Sequence, residues 1–476
     1  MNEIKTTEVL EETGMKREVT LMDAVSLVAG SMIGSGIFIV AADITRNVGS
    51  AGWLIAVWVI TGIFTLIAAV SYAELSAMFP KAGGQYLYLK EAYNPLTGFL
   101  YGWSFFSVIQ TGSIAAVSVA FSKFTSYIIP QISEDVILFS VGPLEISSAH
   151  FLSVGLILLM TYINTMGVKE GKTVQTFFTI TKLLCLLGLI IFGFIAMKPD
   201  VWANNWHNAW TLQKLNVDGS FESYGMTAAL GAIAAAMIGS IFSSDSWHSA
   251  TAVASEIKNP QRNVGLSLFI GVVIVMSIYL LVNIVYLGVL PLYDIATAQH
   301  DRVGVAASNV IFGPAGTIII AALIMISAAG CINGLTLTGA RVYYTMAKDG
   351  LFFKKAASLN KNGVPAFGLW LQCLVAIVLC LSGRFNDLLN MVSFVVVLFY
   401  VLTVIGIYRL RIKQPHIHRP YKVVGYPILP AIYVLMGTAF CILLLVYKPD
   451  YTLAGLGIAL IGIPIYYLMK KQNNVA

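Results

Sequence analysis

Charge is what this sequence has least of. Only 11% of its 476 residues are Asp, Glu, Lys or Arg, where a soluble domain carries about 25%. That scarcity excludes an ordinary water-soluble protein. Cysteine is scarce as well: Cys185, Cys331, Cys373, Cys380 and Cys441 are the only five, and all fall inside apolar runs. A disulfide framework or a thiolate metal site is excluded, and the five read as small packing residues. Catalytic signatures are missing too, with no HExxH, no G-x-S-x-G and no His pair at ligand spacing. His207, His248, His300, His416 and His418 lie near span ends or in loops, and His150 opens the fourth span. No enzyme, cofactor or metal is expected. The polar, charged stretch Met1 to Thr20 contains no cleavable signal peptide.

Apolar sequence is what remains, at 58%. A hydrocarbon core about 30 Å thick needs about 20 helical residues, and twelve stretches qualify. They lie near 21–45, 52–79, 97–129, 149–167, 173–197, 226–255, 263–290, 304–346, 365–382, 385–410, 427–447 and 451–470. The expectation is an all-α integral membrane protein with 12 transmembrane helices. No Pro/Ser-rich linker divides it. Residues 1–20 form a cytoplasmic N-terminal segment, 21–410 a ten-helix core, and 411–476 helices 11 and 12 with a cytoplasmic C-terminus.

The net charge of +6 is explained by topology, not by a nucleic-acid partner. With both termini inside, Arg46, Lys198, Lys214, Arg302, Arg384 and Lys448 fall outside and Lys123 and Lys182 fall within spans. The other 21 of 29 Lys and Arg are on the inner side, the positive-inside pattern of a multi-pass protein in a cell membrane. Lys198 to Tyr224 is the longest polar outer connection. The basic run Arg409 to Pro427 reads as a solvated inner loop near anionic lipid.

One apolar run is broken at its centre. Residues 30–40, "GSMIGSGIFIV", put three glycines and two serines in the middle of span 1, although glycine weakens a helix interior. "MIGSGIF" at Met32 to Phe38 returns as "MIGSIF" at Met237 to Phe242 in span 6. Spans 1 and 6 are equivalent if the first ten helices are two inverted five-helix repeats, and paired Gly-interrupted spans then mark a midplane substrate site. Broken helices in lipid expose backbone groups that must face protein, water or ligand. A half-helix N-terminus suits a carboxylate, and the carbonyls ending the preceding half suit an ammonium. A free amino acid carries both.

At these residues the sequence resembles bacterial members of the L-amino acid transporter branch of the amino acid–polyamine–organocation superfamily. "GSMIGSGIF", "YAELSAMFPKAGGQYLYLKEAY" at Tyr72 to Tyr93, "ASEIKNPQRN" at Ala254 to Asn263, "GCINGLTLTGARVYYTMAKDG" at Gly330 to Gly350 and "RPYKVVGYPILP" at Arg419 to Pro430 carry the resemblance. It implies the LeuT-type 5+5 inverted repeat with broken helices 1 and 6, and alternating access for amino acids. It also implies that the substrate carboxylate meets the N–H groups of Ser35 and Gly36, beside Gly34. The ammonium would meet carbonyls around Met32, Ile33 and Phe242, next to Ser243, with Phe242 closing over the substrate. Ser113 in span 3, Tyr286 in span 7 and Phe394 in span 10 match positions beside the pocket. A hydroxyl such as that of Ser113 can equally bond its own i−4 carbonyl.

Lys182 stands alone in the apolar "TITKLLCLLGL" of span 5, and an intramembrane charge defaults to a functional reading. By resemblance it replaces the sodium ion of sodium-coupled relatives, bridging helix 1 to helix 8 near Cys331. The expectation is a sodium-independent exchanger of neutral L-amino acids; the alternative is a proton symporter using Lys182. Asp245 in "FSSDSWHSATA" is expected to cap the second half of helix 6 or to touch substrate, and Glu74 and Glu256 to form inner-side ion pairs or gate contacts. Two departures from the branch stand out. Val392, Phe394, Val396 and Val397 replace the aromatics and Asn that line span 10 in large-substrate members, which favours small side chains. The loop Pro130 to Ala149 lacks the Cys of subunits that pair with a glycoprotein, so no disulfide-linked glycoprotein subunit is expected.

Overall fold

In lipid every backbone N–H and C=O must be satisfied within its own segment, so long apolar runs become helices. The computed structural model describes residues 17–141, 144–216, 219–382 and 385–473. Most of the N-terminal segment, and Arg384, lie outside the described residues. The chain is 78% helical. Its first half runs α1 (Leu21–Met32), a 3-10 turn Gly36–Phe38, α2 (Val40–Val48), α3 (Ala51–Met78), α4 (Gln85–Ala92), α5 (Pro95–Ser104), a π turn Phe105–Ile109, α6 (Gln110–Ile128), the hairpin β1 (Ile137–Val141) and β2 (Leu144–Ser147), α7 (Ser148–Met166) and α8 (Val168–Ile195). Then follow α9 (Pro199–Trp206), the hairpin β3 (Gln213–Leu215) and β4 (Phe221–Ser223), α10 (Met226–Ser243), α11 (Ser249–Ala252), α12 (Pro260–Val289), α13 (Leu292–Ala296), α14 (Val303–Lys348), α15 (Ala366–Ser382), α16 (Phe385–Lys413), α17 (Ile428–Tyr447) and α18 (Pro449–Asn473).

Nine described helical spans are long and apolar enough to cross a membrane, and Leu21–Met32, Ala228–Ser243, Val303–Pro314 and Ala366–Ser382 are shorter apolar helices. The chain is thus an all-α, multi-pass membrane protein. Its outward faces agree: Leu184 is 64%, Ile195 75% and Leu435 70% exposed, apolar surface that is at rest only against lipid tails.

The first apolar run is broken at its glycines, Gly34 and Gly36, and the sixth is broken too, but after Ser243, with Gly239 inside the helix. Helix α1 packs on α8, α12 and α14, whereas α2 packs on α10 and α13, so the two halves of span 1 belong to different neighbours. The expected eighth span, 304–346, is instead two helices in one run. Gly313 adopts φ 71°, ahead of Pro314, a left-handed conformation followed by a residue that cannot donate a helical hydrogen bond. The arm before the bend leans on the first break, since a methyl at Gly304 would fall 2.7 Å from the Phe38 ring. Glu74 and Glu256 form the expected ion pairs: Glu74 accepts from Arg411 at 3.0 and 2.7 Å, and Glu256 from Arg341 at 3.2 Å.

Candidate functional site

Helix α1 stops at Met32, and Ile33 leaves the helix at φ −74°, ψ 95°. The 3-10 turn begins only at Gly36. Between them the backbone N–H groups of Gly34, Ser35, Gly36 and Ile37 find no acceptor among the described residues, and the Ser35 hydroxyl is equally unpartnered. All four residues are buried. Orphaned buried N–H groups are rare in proteins, so four in succession form a cradle for an anion. Gly36 abuts the other break: a methyl there would fall 2.2 Å from Ser243 Oγ and 2.9 Å from its Cβ.

The carbonyl side of the same break is bound to neighbouring helices. The fully buried Lys182 donates from Nζ to the carbonyls of Gly30 and Ile33, each at 2.6 Å. Ser327 Oγ donates to Ile33 O at 3.4 Å, and Cys331 Sγ to Ser31 O at 3.0 Å. Lys182 therefore ties α8 to the end of α1, and α14 adds its own bonds at Ser327 and Cys331.

The second break lies after Ser243. Phe242, next to last in α10, is buried, and its carbonyl accepts the Asp245 N–H at 3.2 Å. The expected Asp245 cap is not formed. The chain runs through turns, with Ser246 at φ 64°, and resumes helix only at Ser249, whose N-cap position is His248. That is too far along the chain for the Asp245 side chain to cap. Its carboxylate accepts instead from Tyr400 of α16 at 2.5 Å, and the same hydroxyl lies 2.8 Å from His248 Nδ1.

Other expected residues are placed differently from one another. The Ser113 hydroxyl donates to its own i−4 carbonyl, Ile109 O, at 2.7 Å. The Tyr286 hydroxyl reaches Ile37 O at 3.3 Å, and Phe394 is buried in α16. Sequence reasoning missed Tyr279. Its hydroxyl lies 3.0 Å from Met32 O and 3.1 Å from Ser243 O, joining the two breaks. The signal was there: Tyr279, Asn283 and Tyr286 follow i, i+4, i+7 spacing, a polar stripe down an apolar helix. No group of His, Cys, Asp or Glu among the described residues is arranged to hold a metal ion.

Two broken helices crossing at a buried N–H cradle, in a many-helix membrane bundle, define a transporter. The profile of the amino acid permease family matches residues 19–468, and the chain belongs to that family. It is 28% identical to the human (Homo sapiens) b(0,+)-type amino acid transporter 1 over 92% of this chain and 85% of that protein. Identity is 30% to the Mus musculus large neutral amino acids transporter small subunit 2, over 95% of this chain and 81% of that protein. The Mus musculus Asc-type amino acid transporter 1 is 28% identical, over 96% and 82%. The family and these relatives are transporters, not enzymes.

The relatives correct one expectation. A relative matched over 95% of this chain is named a small subunit, so the expectation that no disulfide-linked glycoprotein subunit pairs with this chain does not stand. The inference from the missing loop cysteine failed on physical grounds. The absence of one residue type from one loop, Pro130 to Ala149, says nothing of the rest of a subunit interface, which spreads over many residues. The five cysteines are buried and unpaired.

Proposed function

We propose that the chain is a sodium-independent transporter of neutral L-amino acids, working by alternating access as an exchanger in the plasma membrane. The observation that carries this reading is the run of buried, acceptor-free N–H groups from Gly34 to Ile37. It offers a carboxylate four donors at no cost in side-chain charge. The ammonium sits near the carbonyls of Met32, Phe242 and Ser243, and Phe242 covers it; the Ile33 carbonyl expected to join them is taken by Lys182 and Ser327. Lys182 supports sodium independence, because its ammonium already neutralises two carbonyls that a cation would bind. Buried Val392, Phe394, Val396 and Val397 in α16 favour small side chains. Twelve crossings, with residues 21–410 as the transport core, 411–476 as the appended pair and both termini cytoplasmic, complete the proposal. The relatives reported above are mammalian, and the bacterial side of the resemblance stays part of it.

Uptake into proteoliposomes tests the reading. The expected result is uptake that needs amino acid inside, ignores sodium and depends weakly on pH. Uphill uptake driven by a pH gradient into vesicles free of amino acid would replace the exchanger with the proton symporter. Sodium-driven uptake would overturn both.

A further inference from the structure

A cavity of about 240 Å³ lies next to the breaks, toward the end of the bundle that the charge pattern assigns to the outside. Its floor is Ile39 and Val40 on one side and Ile238 and Gly239 on the other, within about one helical turn of Phe38 and Phe242. The floor is shut, since a methyl at Gly239 would fall 2.9 Å from the Val40 Cβ. Asp43, Asp301, Asn390 and Lys448 bring polar groups to the walls.

The charges there are unevenly used. Arg46 takes Asp301 at 2.7 Å and also donates to Ala296 O at 2.9 Å. Arg46 stands 3.6 Å from Asp43 Oδ1 and Asn47 Nδ2 donates to its Oδ2 at 3.3 Å, while the Asp43 side chain remains 44% exposed. The Lys448 ammonium forms no hydrogen bond or ion pair among the described residues, yet it is close enough to act electrostatically on Asp43. A weakly engaged anion and an unengaged cation therefore face one cavity. Asp43, Asp301, Arg46 and Lys448 cancel in charge, so a ligand of zero net charge leaves the balance intact, whereas a net cation or anion does not. The volume is below the roughly 300 Å³ at which pockets begin to hold drug-sized ligands. It suits a free amino acid.

We propose that this cavity is a second, outer binding site for a zwitterionic amino acid, its ammonium paired with Asp43 and its carboxylate with Lys448, with the Asn390 amide alongside. The proposal rests on the transport reading above. The site holds the amino acid over the closed Val40–Gly239 contact and delivers it when that contact parts, so it sets capture from the outside and not the rate of the later steps. Asp43 also stabilises the first turn of α2. Lys448, exposed on the turn between α17 and α18, is the cleaner variant.

The test is equilibrium binding of radiolabelled L-alanine to the full-length protein in lipid nanodiscs, with uptake kinetics in oriented proteoliposomes. The wild type binds two alanines, Lys448→Gln binds one, and Gly36→Val keeps the outer one. Lys448→Gln raises KM from the outer face about tenfold, or about 1.4 kcal/mol, with kcat and the inner-face KM unchanged. Added salt raises the outer KM of the wild type and not of the variant, as expected of exposed charges. A single alanine in the wild type, lost in Gly36→Val and kept with unaltered outer KM in Lys448→Gln, overturns the outer site and leaves the transport reading standing. A wild type that binds no alanine removes both.

Discussion

At the scale of single residues, the first break depends on Gly36 having no side chain. Any branched group there runs into Ser243, 2.2 Å from where its first carbon would sit, and overpacking of this kind costs about 1–3 kcal/mol. Gly36→Val is expected to weaken amino acid binding at the breaks by tenfold or more, roughly the affinity equivalent of that cost. Unchanged affinity at that site in a calorimetric titration rejects the cradle. Lys182 makes a separate prediction. Lys182→Ala leaves the Gly30 carbonyl without its donor and the Ile33 carbonyl with only the long bond from Ser327, at about 1–3 kcal/mol for a buried group left unsatisfied. Exchange should fall by about tenfold or more and should not recover when sodium is supplied. Full exchange activity in this variant ends the idea that the lysine links α8 to α1.

At the scale of elements, Glu74 is the point where α3, α16 and the loop after it meet. It accepts from Arg411 at 3.0 and 2.7 Å and from the Val423 N–H at 2.8 Å, with Arg419 3.6 Å away. Breaking a buried pair by removing one partner costs about 3–5 kcal/mol. Glu74→Ala should lower the thermal midpoint of the purified protein clearly, and an unshifted melt contradicts this account. What could be read from sequence divides along the same lines. The breaks were legible because glycine and serine interrupt an apolar run, and Lys182 because a charge stands out among leucines. The bend in α14 carried its own signal in Gly313 and Pro314, yet the unbroken hydropathy on either side hid it. The Asp245 contact was not legible. Its partner Tyr400 lies 155 residues away, and whether the aspartate could cap depended on where the chain resumed its helix. Tyr279 was half legible: its stripe can be seen, but its partner carbonyl at Met32 is 247 residues distant.

At the scale of the whole molecule, the transport function proposed above sets the substrate side chain against α16. Buried Val392, Phe394, Val396 and Val397 leave a bulky ring no polar partner there and little room. Alanine, serine, threonine and valine should compete for uptake about tenfold better than tryptophan or tyrosine. Competition led by tryptophan contradicts it. The bend at Gly313 has a mechanical consequence for the same molecule. The arm before it touches Phe38 through Gly304, and the loop leading into that arm is fastened to α2 through the bonds of Arg46 to Ala296 and Asp301. On the far side of the bend, Cys331 and Ser327 grip the other half of span 1. One continuous stretch of chain thus holds both halves of a broken helix, with a joint between its two grips. If the halves swing relative to each other, as the proposed alternating access requires, the joint at Gly313 is where this crank flexes.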